Sequence, residues 1–318
     1  MRAIITLVFF AIWCHCAVAV PSWANIRKRG DDGKYFHEPG TTDLLGHYDS
    51  RFFKTTVMEQ ERKDTLKYLV KAYLTFFEEQ HLETWIAHGT LLGWWWNGKI
   101  LPWDWDVDVQ VAHHTLLYIG EHLNRTTTTY TADDGTKRSY LLDINPHSKV
   151  TGREDGKNII DARFIDTHNG LYIDITGLHE SDPAKEPGVI QCKNKHKYHV
   201  SDIFPLRKSQ FEGVHAWIPY RYNEILVEEY PKGLSSMSHY DHDWDPKTQQ
   251  WIPNKKYNDE AAERDADAQR FREELDKKKD PSEQPDQPEQ HKNEGDKPDT
   301  EKRDEDDISD EKLQQQAP

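Results

Sequence analysis

Asp104, Asp106 and Asp108 recur at every second position of the chain. In an extended backbone that spacing projects all three carboxylates from one face, roughly 7 Å from one to the next. They sit between Ile100-Leu101-Pro102-Trp103 and the alternating Val107, Val109 and Val111, so they are not a solvated charge run. Like charges gathered beside apolar residues are unfavourable without a compensating cation. Carboxylate oxygens at this spacing suit a hard divalent ion. Upstream lies His88-Gly89-Thr90-Leu91-Leu92-Gly93. A Gly-Thr step between a strand and a helix presents backbone N–H groups and one hydroxyl to an anion, and Gly89 lets a phosphate approach the backbone. On its own such a step is an ordinary helix start. Followed by an acidic strand it makes a phosphate cradle facing a metal, the arrangement that in-line phosphoryl or nucleotidyl transfer requires.

The surrounding pattern predicts the elements that would position these groups. Leu66, Leu69, Val70, Tyr73, Leu74, Phe76 and Phe77 recur at helical spacing within Val57 to Gln80. Thr84 to His88 reads as a short buried strand, Leu91 to Trp96 as a short helix, and Asn97-Gly98 as a turn. Trp105 to Val111 alternates strictly and predicts a strand. A helix over 114–123 and a polar loop follow. A strand at 162–166, a turn at Thr167-His168-Asn169-Gly170 with Asp166 capping it, and a partner strand over 171–176 come next. The stretch from Phe204 to Pro219 suggests a hairpin, and Tyr222 to Tyr230 has helical spacing. Strands and helices interleave irregularly, which predicts an α+β fold with a mixed sheet. Trp94, Trp95 and Trp96 suit core packing more than stacking on a base or sugar, and His88 beside the tight turn reads as structural.

Composition limits the fold and its partners. The 318 residues carry 41 basic and 56 acidic side chains, a net charge of −15, which excludes a nucleic-acid binder with its basic face. From Lys255 to the end there are 13 basic and 22 acidic residues, with Tyr257 and Phe271 as the only aromatics. So little apolar surface cannot offset the entropy of ordering, and the sequence predicts a disordered acidic, Lys-rich tail over 255–318. At the other end, Arg2, the apolar run Ala3 to Trp13 and Ala17-Val18-Ala19 read as a secretory signal peptide over 1–19. An uncleaved anchor, giving membrane association through this segment, is the competing reading. Either places the protein in the secretory pathway, in the Golgi lumen or membrane or secreted, and the sequon Asn124-Arg125-Thr126 fits glycosylation at Asn124 there. Residues 20–44 read as a linker. Outside the leader only Cys192 remains, so no disulfide framework exists. Cys192, His196 and His199 make a weak zinc pattern, and a free thiol beside exposed histidines is the plainer reading.

The blocks Ala87 to Gly93 and Leu101-Pro102-Trp103-Asp104-Trp105-Asp106-Val107-Asp108-Val109 resemble those of the LicD/fukutin family. The resemblance continues through Asp161 to Asp166, Gly170 to Thr176, Asp202 to Leu206 and Phe211-Glu212-Gly213, ending near Tyr222, so a LicD-like domain is expected over 45–250. It implies a nucleotidyltransferase-like mixed sheet flanked by helices, and Trp94 to Gly98 is most similar to the fungal mannosylphosphate-transfer branch. By that resemblance Asp106 and Asp108 match the metal pair for Mg²⁺ or Mn²⁺, Asp104 the preceding acidic position, and Gly89 and Thr90 the phosphate-contacting turn. Asp174 is the candidate third carboxylate, completing the metal site or accepting the proton of an attacking hydroxyl. Arg163 and Arg221 are candidates for a bidentate grip on a diphosphate, or else structural ion pairs. The implied donor is a nucleotide sugar, GDP-mannose, and the implied acceptor a mannan glycan. An Asp-x-Asp glycosyltransferase and a non-catalytic regulator of a separate transferase are the alternatives.

Overall fold

The computed structural model describes residues 33–279; the leader with its Ala17-Val18-Ala19 site, the first part of the linker and the end of the acidic tail lie outside the described residues. Residues 1–275 hold the fold below, and of the separate unit 276–318 only the last residues of a helix are described.

The first long element is α1 (Glu59–Glu79). Its buried face carries Leu66, Leu69, Val70, Tyr73, Leu74 and Phe77 at the expected spacing, and Glu59 and Glu61 lie in the first turn, where the helix dipole favours negative charge. Then come β1 (Trp85–Ile86) and α2 (His88–Asn97), which ends at Gly98 in the left-handed conformation. At Gly93 a Cβ would stand 2.4 Å from the Lys99 carbonyl oxygen. Only glycine lets the chain fold back so tightly against α2, and that return delivers the segment carrying Asp104.

Next are β2 (Asp108–Ala112), α3 (His113–His122), β3 (Thr126–Thr131), β4 (Lys137–Ile144), β5 (Ala162–Asp166) and β6 (Tyr172–Glu180). They build a sheet in the order β1-β2-β6-β5-β4-β3. β2 and β6 run parallel and the other neighbours antiparallel, so the sheet is mixed, as the irregular interleaving predicts. β7 (Val189–Gln191) and β8 (Lys197–His199) extend it beyond β6. The one-turn α4 (Val200–Ile203), the hairpin of β9 (Arg207–Phe211) and β10 (Val214–Ile218), and α5 (Tyr222–Glu229) follow. The apolar core lies between α1 and the sheet, centred on Tyr73, Phe77, Trp85, Tyr140 and Phe164. Asp166 does cap the turn before β6, accepting from the His168 N–H at 2.7 Å.

The structure departs from the sequence reading in four places. The hairpin β3–β4 stands where a polar loop is predicted, because β3 is an edge strand of threonines with little apolar signal. The acidic strand begins only at Asp108, and residues 104–107 are irregular. Residues 33–44 are not a free linker: Phe36 is buried, and Glu38 reaches Arg163 at 2.8 Å. The disordered tail does not start at Lys255. After the small sheet of β11 (Ser238–His239), β12 (His242–Asp245) and β13 (Gln250–Pro253), α6 runs over Lys255–Lys279. Tyr257, Ala261 and Ala268 are buried along it, Asp265 accepts from the Glu59 N–H at 2.7 Å, and Arg272 pairs with Glu61 at 2.6 Å. A narrow stripe of alanines and one tyrosine docks a helix whose composition alone reads as unfoldable.

Candidate functional site

The Gly-Thr step and the acidic segment meet where β1 hands over to α2 and where β2 begins. His88 opens the helix with a φ of 49°, in the left-handed region that a non-glycine residue occupies at a cost. Its Nδ1 donates to the Glu229 carboxylate at 2.9 Å, and Glu229 also accepts from the Tyr198 hydroxyl at 2.8 Å. Burial pushes the imidazole toward neutrality, but the Glu229 hydrogen bond and charge outweigh it, and the His88 pKa is raised. Burial alone would raise the Glu229 carboxyl, yet its two donors hold it low. Gly89 follows, and a Cβ on it would stand 3.1 Å from the Asp104 Oδ2, so the glycine leaves open the space before that carboxylate. Thr90 is buried, and its hydroxyl accepts the Asp108 N–H at 2.9 Å, which ties the start of β2 to the first turn of α2.

The irregular stretch 104–107 is held from outside. Arg62, fully buried on α1, donates to the carbonyl oxygens of Pro102 and Asp104 and stacks its guanidinium 4.7 Å from the Trp105 ring. The Tyr257 hydroxyl of α6 donates to Glu59 at 2.7 Å and lies 3.3 Å from the Pro102 carbonyl. A buried cation that donates to two loop carbonyls and is balanced by Glu59 at 2.8 Å fixes the loop in place of strand pairing.

Asp108 and Asp174 are register partners on the parallel strands β2 and β6. Adjacent strands stand about 5 Å apart, so the two side chains leave the sheet on the same face as neighbours. Burial, then the charges of Asp174, Asp106 and Asp104, lifts the Asp108 carboxyl to about 8, with His88 acting the other way. Burial and Asp106 lift Asp104 to about 6. Burial also raises Asp174, opposed by Arg163. Asp106 is the exposed member, and its carboxylate accepts from the Nδ1 of His47. Although burial lowers the His47 pKa, the Asp106 hydrogen bond and neighbouring carboxylates raise it overall.

Arg163 is 3% exposed, with Nε 2.9 Å from Asp174 and Nη2 2.8 Å from Glu38, and it stacks 3.7 Å over the Tyr172 ring. It therefore stands behind Asp174 as a structural partner. Arg221 is on the surface, paired with Glu224 and, at 3.5 Å, with Asp202, outside the carboxylate group. Asn124 is exposed in the turn between α3 and β3, and its side chain accepts the Ile144 N–H. Trp94 and Trp96 pack as core residues with their indole N–H groups satisfied by Ser209 and by the Gly233 carbonyl. Cys192 is a buried free thiol 3.5 Å from His196 Nδ1. Among the described residues, no three His, Cys, Asp or Glu side chains stand ready-grouped around a metal position.

A cleft of about 880 Å³ opens over Gly89 and Asp104. Its lining includes His47, Trp103, Trp105, Tyr230, Lys232, Tyr240 and, from α6, Arg264. His47, Glu229, Lys232 and Tyr240 escape a reading of the sequence because they lie far in the chain from the acidic motif and carry no spacing of their own.

Part of this site is similar to known proteins. Residues 81–221 match the family model described as LicD/FKTN/FKRP, nucleotidyltransferase domain. Mannosyltransferase regulator 4 of Saccharomyces cerevisiae is 36% identical over 152 residues, which is 46% of this chain and 13% of that protein. Mannosyltransferase regulator 14 of the same yeast is 37% identical over 162 residues, 48% of this chain and 17% of that protein. The chain thus spans less than a fifth of the length of these curated relatives.

Proposed function

Since the chain carries a LicD-family nucleotidyltransferase domain at residues 81–221, we propose that it transfers a sugar phosphate, mannose-1-phosphate from GDP-mannose, to a hydroxyl of a mannan glycan. The observation that carries the reading is the juxtaposition of Gly89 with Asp104 on the floor of the cleft, beside the carboxylates of Asp106, Asp108 and Asp174. The donor set fits a divalent cation: all hard oxygens, with burial and then the neighbouring carboxylates raising the Asp108 pKa to about 8. Asp106 and Asp108 would hold Mg²⁺ or Mn²⁺, with Asp104 beside them, and the ion would supply charge neutralisation for the phosphoryl group. Gly89 leaves room for a phosphate against the backbone of α2. Lys232 brings a cation to the cleft wall, which an acidic protein needs for an anionic donor. Asp174, kept in place by Arg163, is positioned to take the proton of the attacking hydroxyl. The N-terminal apolar segment and the sequon at Asn124 support work in the secretory pathway, in the Golgi or beyond it. Among the described residues no helix is long and apolar enough to cross a membrane.

A second reading, regulation of a separate transferase, is favoured by the names of the two yeast relatives. One experiment separates the cases. The purified chain is incubated with GDP-mannose, manganese and a mannan oligosaccharide, and the nucleotide product is identified. GMP supports sugar-phosphate transfer, GDP indicates ordinary glycosyl transfer, and no turnover without an added transferase supports the regulatory role.

A further inference from the structure

The cleft has a wall that the proposed phosphate chemistry leaves unused. β11 and β12 are joined by the two-residue turn Tyr240-Asp241, with His239 opposite His242. Both turn residues have positive φ, 46° and 60°, the geometry of a tight hairpin turn that favours Asn or Gly. A tyrosine there is strained, and strain held by its surroundings points to a use for the side chain. The surroundings do hold it: His242 Nδ1 donates to the Tyr240 carbonyl at 2.8 Å, and Asp241 takes Lys256 at 2.8 Å and Asn254 at 3.3 Å. The Tyr240 side chain gains no burial in return. It is 72% exposed, the most open large hydrophobic among the described residues, with its ring 5.6 Å from Trp103 and tilted by 30°. Together the two rings make a broad apolar surface at the cleft mouth. Asp43, Asp241 and Glu260 line the same cleft, as do the cations Lys232 and Arg264, and Asp241 is paired with Lys256. Carboxylates accept hydrogen bonds from sugar hydroxyls, and ammonium and guanidinium groups donate to them.

We propose that Trp103 and Tyr240 form the platform on which a neutral hexose of the acceptor glycan stacks, with its hydroxyls turned to the charged groups of the rim. The assignment of this occupant as acceptor rests on the transfer reading above; the stacking subsite itself rests on the rings and the rim. Trp103 lies within the 81–221 stretch that matches the family, and Tyr240 lies beyond it.

The test titrates the full chain with mannopentaose, and separately with GDP, following tryptophan fluorescence and calorimetric heat. Tyr240→Gly should weaken mannopentaose binding by about tenfold, the worth of one good aromatic stack. Its melting temperature should be unchanged or higher, because glycine accepts the positive φ without strain. Tyr240→Phe should keep the affinity within about threefold, since the ring face is retained. GDP affinity should be the same in all three proteins. Absence of mannopentaose binding by the wild type at millimolar concentration, or wild-type affinity in Tyr240→Gly, overturns the platform. So does loss of GDP binding in Tyr240→Gly, which would make the surface a nucleobase slot. The transfer reading fails separately: mannopentaose binding through Tyr240 with no GMP released leaves the subsite standing, and GMP release with Tyr240-insensitive binding leaves only the chemistry.

Discussion

Replacing Asp108 by Asn keeps its volume and removes one of several mutually repelling carboxylates. In the unfolded chain the residue ionises at its ordinary value of 3.8, and in the metal-free fold it does so at about 8. At pH 7 about three of those units act against the folded state, or about 4 kcal/mol at 1.36 kcal/mol per unit. Asp108 is only partly buried, so water screens part of this, and a gain of about 2 kcal/mol for Asp108→Asn is the better figure. For a domain of this size that is roughly a 4–8 °C rise in melting temperature in EDTA. The sign has a pH signature. A carboxyl whose folded pKa is raised favours the fold below its unfolded value and loses that contribution as pH climbs toward 8, so wild-type stability in EDTA should fall between pH 5 and 8. The variant should lose that component of the slope. Added Mn²⁺ or Mg²⁺ should stabilise the wild type and leave Asp108→Asn nearly unmoved, with transfer activity reduced by orders of magnitude. Thermal and urea melts at several pH values read all of this. An Asp108→Asn protein that is less stable in EDTA and still responds to metal would refute the argument.

Asp174→Asn should behave differently: it takes one of the two carboxylates from Arg163 and leaves Glu38, costing about 1–3 kcal/mol by urea denaturation. Arg163→Met, which leaves Asp174 without its cation, should cost about 3–5 kcal/mol. Glu229→Gln should lower stability by about 1–3 kcal/mol near pH 6. The loss should shrink at pH 9, because a raised His88 pKa contributes only below its folded value and a depressed Glu229 only above its own. Ending the chain at Asn254 removes Tyr257, Ala261, Ala268 and the Arg272–Glu61 pair, and should cost on the order of 3 kcal/mol of burial and loosen the Pro102 segment. Ending it at Lys279 should leave the melting temperature of the fold unchanged.

Much of the framework is readable because one kind of signal carries it. α1 shows helical periodicity, and β5 and β6 are apolar runs broken by the Thr167–Gly170 turn, so their places follow from local pattern. The acidic motif is legible for a different reason: carboxylates beside Val107, Val109 and Val111 have no bland use. What local pattern cannot carry is how a segment is held when a distant residue replaces its own hydrogen bonds. Strict alternation predicts strand from Trp105, yet Arg62 and Tyr257 hold the carbonyls before Asp106, and the strand starts at Asp108. Arg163 shows the same limit. Arginine near an anionic site suggests a diphosphate, but its Nε and Nη2 are taken by Asp174 and by Glu38, the latter from a segment that reads as linker. α6 fails composition because its burial is a stripe of three small or amphipathic residues, enough to dock a helix though too few to shift an average.

The carboxylates also bear on catalysis against regulation. Asp174 serves the fold by pairing with Arg163, but a fold used only as a partner surface gains nothing from Asp108 beside it, and it bears the cost of keeping Asp108 protonated up to about pH 8. Exchange to Asn at Asp108 would relieve it without disturbing the Thr90 tie, which uses the backbone N–H alone. The cluster persists beside an open cleft whose glycine leaves the Asp104 carboxylate accessible. Unfavourable charge kept beside accessible space is what a site that waits for a cation and a phosphate requires. The regulatory reading can be joined to this only if regulation itself proceeds by binding the same ligands. A catalytically inert chain should then still show the metal-dependent rise in melting temperature with GDP-mannose, and Asp108→Asn should abolish that rise. A rise that survives the substitution would place the ligand elsewhere and remove the carboxylates from both accounts.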